Sequence, residues 1–441
     1  MNGQTAATEP AERANPSDPS HPVDGRRAEL AALLMWFLGS FCFFFAFFQR
    51  VTPSVLVDEL MRDFGVTAGI VGTFSALYFY AYAALQVPVG LVVDRWGARR
   101  MLSGAFALNG LGTLLFAATT DINVAYVGRL LIGVGSAVGW VGSLKLVAAW
   151  FPPKRFALVT GCTSALGLIG AVVGQAPMAM VVGAVGWRPA LLGVGLFALV
   201  YSLTLWFAVR DAPPGRPSSS SDRFADVMSG LRGVAGRSRT WTVAFLSGAM
   251  VAPQASFGAL WGVPYLMAAY GIDRTTAAAS TSMLLLGWGI GGPLAGWISD
   301  RIGVRRPPLI VGAAVAFATM AGVVYFPGLP LAVAQGLLLI NGIAAGSMIL
   351  CYVTGRELNE PRASGAAIGV VNMMTMLSGA VAQTAIGWLL DVVWDGHLEN
   401  DVRVYDVGDY HVAFVVLLGC GAAGVALALM TPETHAKQVV A

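Results

Sequence analysis

"GLVVDRWGARR", Gly90 to Arg100, returns later in the chain as "GWISDRIGVRR", Gly296 to Arg306. Each copy joins two long apolar runs through an acid and a basic cluster: Asp94, Arg95, Arg99 and Arg100 in the first, Asp300, Arg301, Arg305 and Arg306 in the second. A second pair, "FGVT" from Phe64 and "YGID" from Tyr270, keeps the same distance, so both matches are offset by 206 residues (296 minus 90, 270 minus 64). Two matches in one register over the length of a helix imply an internal duplication. "GAVVGQ" at Gly170–Gln175 against "GAVAQ" at Gly379–Gln383 is a further echo.

The duplicated unit is apolar. Of 441 residues, 56% are hydrophobic and 12% charged, and mean hydropathy is +0.69. Soluble domains carry about a quarter charged residues, so most of this surface faces lipid. A hydrocarbon core of about 30 Å needs about 20 apolar residues per helix. Twelve such segments fit between residues 31 and 430, six in each copy. A β-barrel is excluded, because barrel strands alternate over about ten residues and these runs are continuous. The sequence therefore predicts an all-α membrane protein of 12 transmembrane helices in two pseudo-symmetric six-helix bundles. Residues 30–209 form the first bundle and 241–430 the second, joined by a 210–240 linker containing "DAPPGRPSSSSDR", with tails at 1–29 and 431–441. The four cysteines, scattered in apolar runs, suggest neither a metal site nor a disulfide framework.

Lys and Arg give the orientation, since basic residues are retained in cytoplasmic loops. Of 27, three (Arg50, Arg129, Lys145) lie inside expected helices and four (Arg62, Arg188, Arg274, Arg403) in outer loops, leaving 20 on the inner side. Both termini are expected to be cytoplasmic, in a bacterial inner membrane. The net charge of +3 is then a topology signal and not a nucleic-acid surface.

The repeated loop resembles that of the major facilitator superfamily, of form G-x-x-x-D-R-x-G-x-R-R. It is matched by Gly90, Asp94, Arg95, Gly97, Arg99 and Arg100, and again by Gly296, Asp300, Arg301, Gly303, Arg305 and Arg306. The resemblance implies two bundles around a central cavity that opens alternately to each side. Asp94 is expected to accept N–H groups at a neighbouring helix start in one access state and to release them in the other, with the second copy acting likewise. Gly90 and Gly97 are expected to allow close helix approach and a tight turn. Arg129, in "RLLIGVGSAVG", resembles the family's fourth-helix arginine. Lys145, in "KLVAAWFPPKR", lies in a stretch similar to its organic-anion transporters, and "TPSVLVDELMRDF" is similar to its lysosomal dipeptide-transporter branch.

The run "FCFFFAFFQRVTPSV", Phe41–Val55, places Arg50 behind six phenylalanines. A charge at mid-bilayer costs about 2.5 to 3.5 kcal/mol on insertion scales, so Arg50 is expected to face a watery pathway. All 24 acidic residues fall in loops, tails or helix ends. Arginine does not titrate at working pH, so the cavity has fixed positive charge and no evident proton site. Gln49, where the family's anion symporters often have an acid, points the same way.

These residues favour a small organic anion or zwitterion bound by Arg50 with Arg129 and Lys145. Gln49, Tyr78, Tyr82, Gln86, Gln175, Gln254, Trp261, Asn341, Tyr352, Asn372 and Gln383 are candidates to complete the site. Competing readings are an efflux carrier of apolar compounds lined by Phe41–Phe48, a proton-independent dipeptide or amino-acid uniporter, and a receptor that binds without transporting. No nucleotide loop, catalytic triad or metal cluster is present in the sequence, so no enzyme and no cofactor are expected. The expected partners are the substrate and the lipid bilayer, and the chain is expected to act as a monomer.

Overall fold

A computed structural model describes residues 22–213, 233–234, 236–326, 328–360, 363–399 and 402–439. The first half comprises α1 (Pro22–Val51), α2 (Val57–Phe64), α3 (Ala68–Trp96), α4 (Ala98–Ala118), α5 (Ile122–Trp150), α6 (Pro153–Val173), α7 (Ala176–Val185) and α8 (Trp187–Ala208). The second comprises α9 (Ser238–Ser256), α10 (Gly262–Tyr270), α11 (Arg274–Ile302), α12 (Arg306–Tyr325), α13 (Leu331–Ala345), α14 (Ile349–Glu357), α15 (Ser364–Val393), α16 (Val407–Ala413) and α17 (Val415–Met430). A hairpin of β1 (Leu398–Glu399) and β2 (Val402–Arg403) precedes α16.

Among the described residues, eleven stretches are long and apolar enough to cross a membrane. α11 occupies the place of the remaining span. Its 29 residues are diluted by Thr, Ser and Gly, and it lies against α13 along its length. α1 begins at Pro22 and not at residue 30, so the last part of the expected tail is helical. Residues 1–21, and most of the expected linker, lie outside the described ones.

Chain direction puts the repeated loops, the start of α1 and the end of α17 on one face, called here the motif face. On the opposite face the halves are joined chiefly by α3 running along α15, and by α11 against α6 and α7. Glycine makes the first contact possible. A Cβ on Gly72 would stand 2.7 Å from the Gln383 carbonyl oxygen, and one on Gly387 would stand 2.5 Å from that of Ala68. Helices in lipid associate through such close backbone packing.

Two spans are broken at corresponding places. α1 gives way to a 3-10 turn, Thr52–Val55, because Pro53 has no N–H to continue the ladder. In the other half a π-helical turn, Phe257–Trp261, separates α9 from α10, with Pro253 and Pro264 on either side. The broken segments touch each other across the seam, and π turns recur at functional positions.

Candidate functional site

In an unbroken α1, the N–H of residue 53 would donate to the carbonyl of Gln49. Proline leaves that carbonyl free in a buried setting, where an unpaired polar group costs about 1 to 3 kcal/mol. Arg129, from α5, takes it: Nη1 donates to the Gln49 oxygen at 2.8 Å and Nη2 to the Arg50 oxygen at 3.4 Å. Thr52 Oγ1 donates to the Phe48 oxygen at 2.7 Å. Arg129 is 2% exposed, and in this form it is a clamp on the break in α1. Arg129→Met is expected to lower the protein's stability by about 1 to 3 kcal/mol in a thermal unfolding assay, and to change ligand affinity much less than it changes stability.

Arg50 has a different environment. It is 7% exposed, and its guanidinium lies over the rings of Phe47 at 4.3 Å, Tyr82 at 5.4 Å, and Tyr78 and Phe79 at 5.6 Å each. Ring faces attract the cation, each by about 0.5 to 2 kcal/mol, and the Tyr82 hydroxyl also lies within hydrogen-bond reach of the guanidinium. Nε is buried with no hydrogen-bond partner, and no carboxylate among the described residues pairs with Arg50 or Arg129. Tyr78 is held in place by its hydroxyl, which donates to the Ala46 oxygen at 2.8 Å.

One helical turn beyond Tyr82 stands Gln86, whose Oε1 accepts from Asn372 Nδ2 at 2.5 Å across the two halves. Asn372 Oδ1 in turn accepts from the Tyr352 hydroxyl at 2.8 Å. Tyr352 lies within electrostatic reach of both Tyr82 and Arg50. The structure thus gathers Arg50, Tyr78, Tyr82, Gln86, Tyr352 and Asn372 from the expected set, and adds Phe47 and Phe79.

The remaining expected residues lie elsewhere, and each position has a packing cause. Gln49 points into the first half, donating to Asn109 Oδ1 at 3.1 Å and Thr113 Oγ1 at 2.7 Å, a partnership no local pattern signals. Gln175 donates to the Gly258 oxygen at 2.7 Å, within the π turn, and Gln383 to the Ala255 oxygen at 2.7 Å, just before it. Trp261 is fully buried and donates to the Gln383 oxygen at 3.1 Å. Gln254 donates to Asn341 Oδ1 at 2.7 Å inside the second half. The void beside that pair, about 20 Å³, holds one water at most and no substrate. Of the run Phe41–Phe48, Phe41, Phe44, Phe45 and Phe48 line a groove with Val173, Ala190, Val194 and Phe197 of their own half, while Phe47 lies against Arg50.

Lys145 is engaged within its own half in this form. Nζ donates to the Val93 oxygen at 2.8 Å and pairs with Asp94 Oδ1 at 3.0 Å, which puts it in the motif loop. Among the described residues no backbone N–H donates to Asp94. The caps expected of the motif are made by other acids. Asp211, just past α8, accepts from the Arg99 N–H at 2.8 Å at the start of α4. Glu433, just past α17, accepts from the N–H groups of Arg305 at 2.8 Å and Arg306 at 2.9 Å. Burial alone would raise the Glu433 pKa, but these and two further N–H groups hold it below the ordinary value.

Gly97, at φ +84°, makes the turn, and a Cβ there would strike the Asp211 carboxylate at 2.6 Å; Gly303 turns likewise at φ +70°. Gly90 and Gly296 would accept a side chain freely, so they are not close-approach sites here. Arg305 pairs with Asp300 at 2.6 Å and Glu357 at 3.1 Å within its own half. Arg301 lies over Trp297, Arg306 reaches the Leu429 oxygen, and Arg95 and Arg100 are exposed.

A cap that does cross the halves occurs on the opposite face. Thr67, the residue before α3, has no capping bond from its own side chain. Asp391, near the end of α15, accepts from the Thr67 hydroxyl at 2.5 Å, the Gly69 N–H at 2.9 Å and the Tyr405 hydroxyl at 2.6 Å. Tyr405 accepts from the Ala68 N–H at 3.2 Å, and Arg274 pairs with Glu59 and Asp58 nearby. Every hydrogen bond between the halves lies from Gln86–Asn372 toward this face, among the described residues.

A family model described as Major Facilitator Superfamily matches residues 39–383 and 250–440. The chain is 23% identical over 415 residues to the "Probable sulfoacetate transporter" of Cupriavidus necator, covering 87% of this chain and 91% of that protein. It is 24% identical over 414 residues to a "Membrane sensor protein" of Escherichia coli, covering 89% of each. In fold it is similar to an inward-facing, unoccupied bacterial homologue of the human lysosomal transporter Spinster, with a TM-score of 0.71 at 16% identity, covering 91% of this chain and 95% of that one.

Proposed function

The chain belongs to the major facilitator superfamily of membrane transporters, and on that premise we propose that it carries a small organic anion or zwitterion by alternating access. The observation that carries this reading is Arg50: a permanent cation, nine-tenths buried where the halves meet, with its faces against rings, its Nε unpaired and no carboxylate paired to it among the described residues. An acid group pairing bidentately with that guanidinium supplies the missing charge-assisted bonds. The sulfoacetate relative supports an acidic substrate.

The basic residues of the repeated loops favour the motif face as cytoplasmic, with both termini inside. Since the bonds between halves lie toward the other face, this form is open to the inside. Asp391 is the latch that holds the outer side shut, and Asp94, paired within its own half, waits for the alternate state. With no carboxylate paired to Arg50 among the described residues, this reading favours coupling by exchange, by downhill flow or by the substrate's own titration.

Reconstitution in liposomes tests the reading. Internal unlabelled organic acids are expected to accelerate uptake of external labelled acid. Binding without such counterflow would favour a sensor, as in the Escherichia coli relative.

A further inference from the structure

Of the three basic residues inside the spans, two are already engaged. Arg129 gives both Nη groups to carbonyls of α1, with the Tyr78 ring beside it at 4.9 Å, and Lys145 is paired with Asp94 at 3.0 Å in the motif loop. The second half contributes no cation between its helix ends: α15 contains no Lys, Arg or His, and those of α9, α11 and α14 stand in terminal turns at Arg239, Arg274, Arg301 and Arg356. Beyond Arg50 the chain of groups is neutral among the described residues: Gln86 of its own half, then Asn372 and Tyr352 across the seam, joined by hydrogen bonds of 2.5 and 2.8 Å.

We infer that the substrate is a monoanion whose single acid group lies on Arg50 and whose far end is an uncharged hydrogen-bonding group read by Gln86, Asn372 and Tyr352. This rests on the reading of Arg50 as the anion receptor and narrows it. A second carboxylate or sulfonate would be desolvated against amide and phenol groups with no cation to pair, which costs several kcal/mol. The spacing sets the length: Tyr82 lies beside Arg50, and Gln86 is four residues, about 6 Å, further along α3. Gln86 Nε2 donates one hydrogen to the Tyr82 carbonyl oxygen at 3.4 Å and Asn372 Nδ2 donates one to Gln86, so the amide hydrogen left on each, with the Tyr352 oxygen, suits a hydroxyl or amide. The sulfoacetate of the relative bears two acid groups, so the two proteins would differ in charge selection.

The test is thermal-shift titration of the purified full chain with acids paired on one skeleton: an ω-hydroxy monocarboxylate, the plain monocarboxylate and the dicarboxylate, at four, five and six carbons. The hydroxy acid is expected to bind at least tenfold tighter than the diacid. Gln86→Leu should bring the hydroxy and plain acids to equal affinity, and Gln86→Lys, which supplies a second cation, should swing preference at least tenfold toward the diacid. Wild-type preference for the diacid, or no swing in the folded lysine variant, overturns the inference and leaves the anion reading standing. A response to no acid, with Arg50→Gln indistinguishable from wild type, removes the anion reading itself.

Discussion

Arg50→Ala is expected to reduce organic-anion counterflow by about 30- to 3,000-fold while the protein still inserts and purifies. The range follows from the loss of a buried charge-assisted contact, about 2 to 5 kcal/mol at tenfold per 1.4 kcal/mol. Folding should survive, because the guanidinium's neighbours are rings and no protein carboxylate is orphaned by its removal. Arg50→Lys is expected to recover only part of the flux, since an ammonium lacks the planar fork. Anion flux unchanged in the alanine variant would sink the assignment, and a flux of apolar solutes in its place would revive the efflux reading.

The second large effect is expected at Asp391. Its carboxylate gathers Thr67, Gly69 and Tyr405, with Arg403 at 3.5 Å, so it ties the start of one half's α3 to the end of the other half's α15. Bonds to a charged acceptor are worth about 1.5 to 3 kcal/mol each in buried settings, and less where solvent reaches them. A net loss of about 2 kcal/mol in Asp391→Ala would move the balance between access states about 30-fold toward the form open on that face. Labelling of a cysteine placed near Thr67 should quicken accordingly, while substrate affinity measured in the open form stays near wild type. Unchanged labelling would show that the seam of α3 and α15 closes that face without help from the carboxylate.

The fold was legible because its evidence is repetitive. Two loops at one offset and continuous apolar runs specify bundles before any contact is known. Arg50 was legible for a related reason, since a charge among phenylalanines has few physical solutions. Its neighbour Gln49 was not, because adjacent helical residues point about 100° apart and only the packing decides which one meets the seam. The role of Arg129 has a faint signature, in that Pro53 frees the carbonyl four residues earlier, but nothing local says which side chain reaches it. Lys145 and Asp94 are 51 residues apart, and Asp391 meets Thr67 from 324 residues away. Pairings at such separations are set by how helices stack.

The lone guanidinium at the seam also bears on voltage. On the proposed reading, taking up one acid group would change the net charge at the protein's centre by a single unit, so loaded and empty carriers would feel the membrane potential unequally. A unit charge moved through the whole field is worth about 2.3 kcal/mol per 100 mV, enough to make one limb of the cycle faster than the other and to give transport a measurable current.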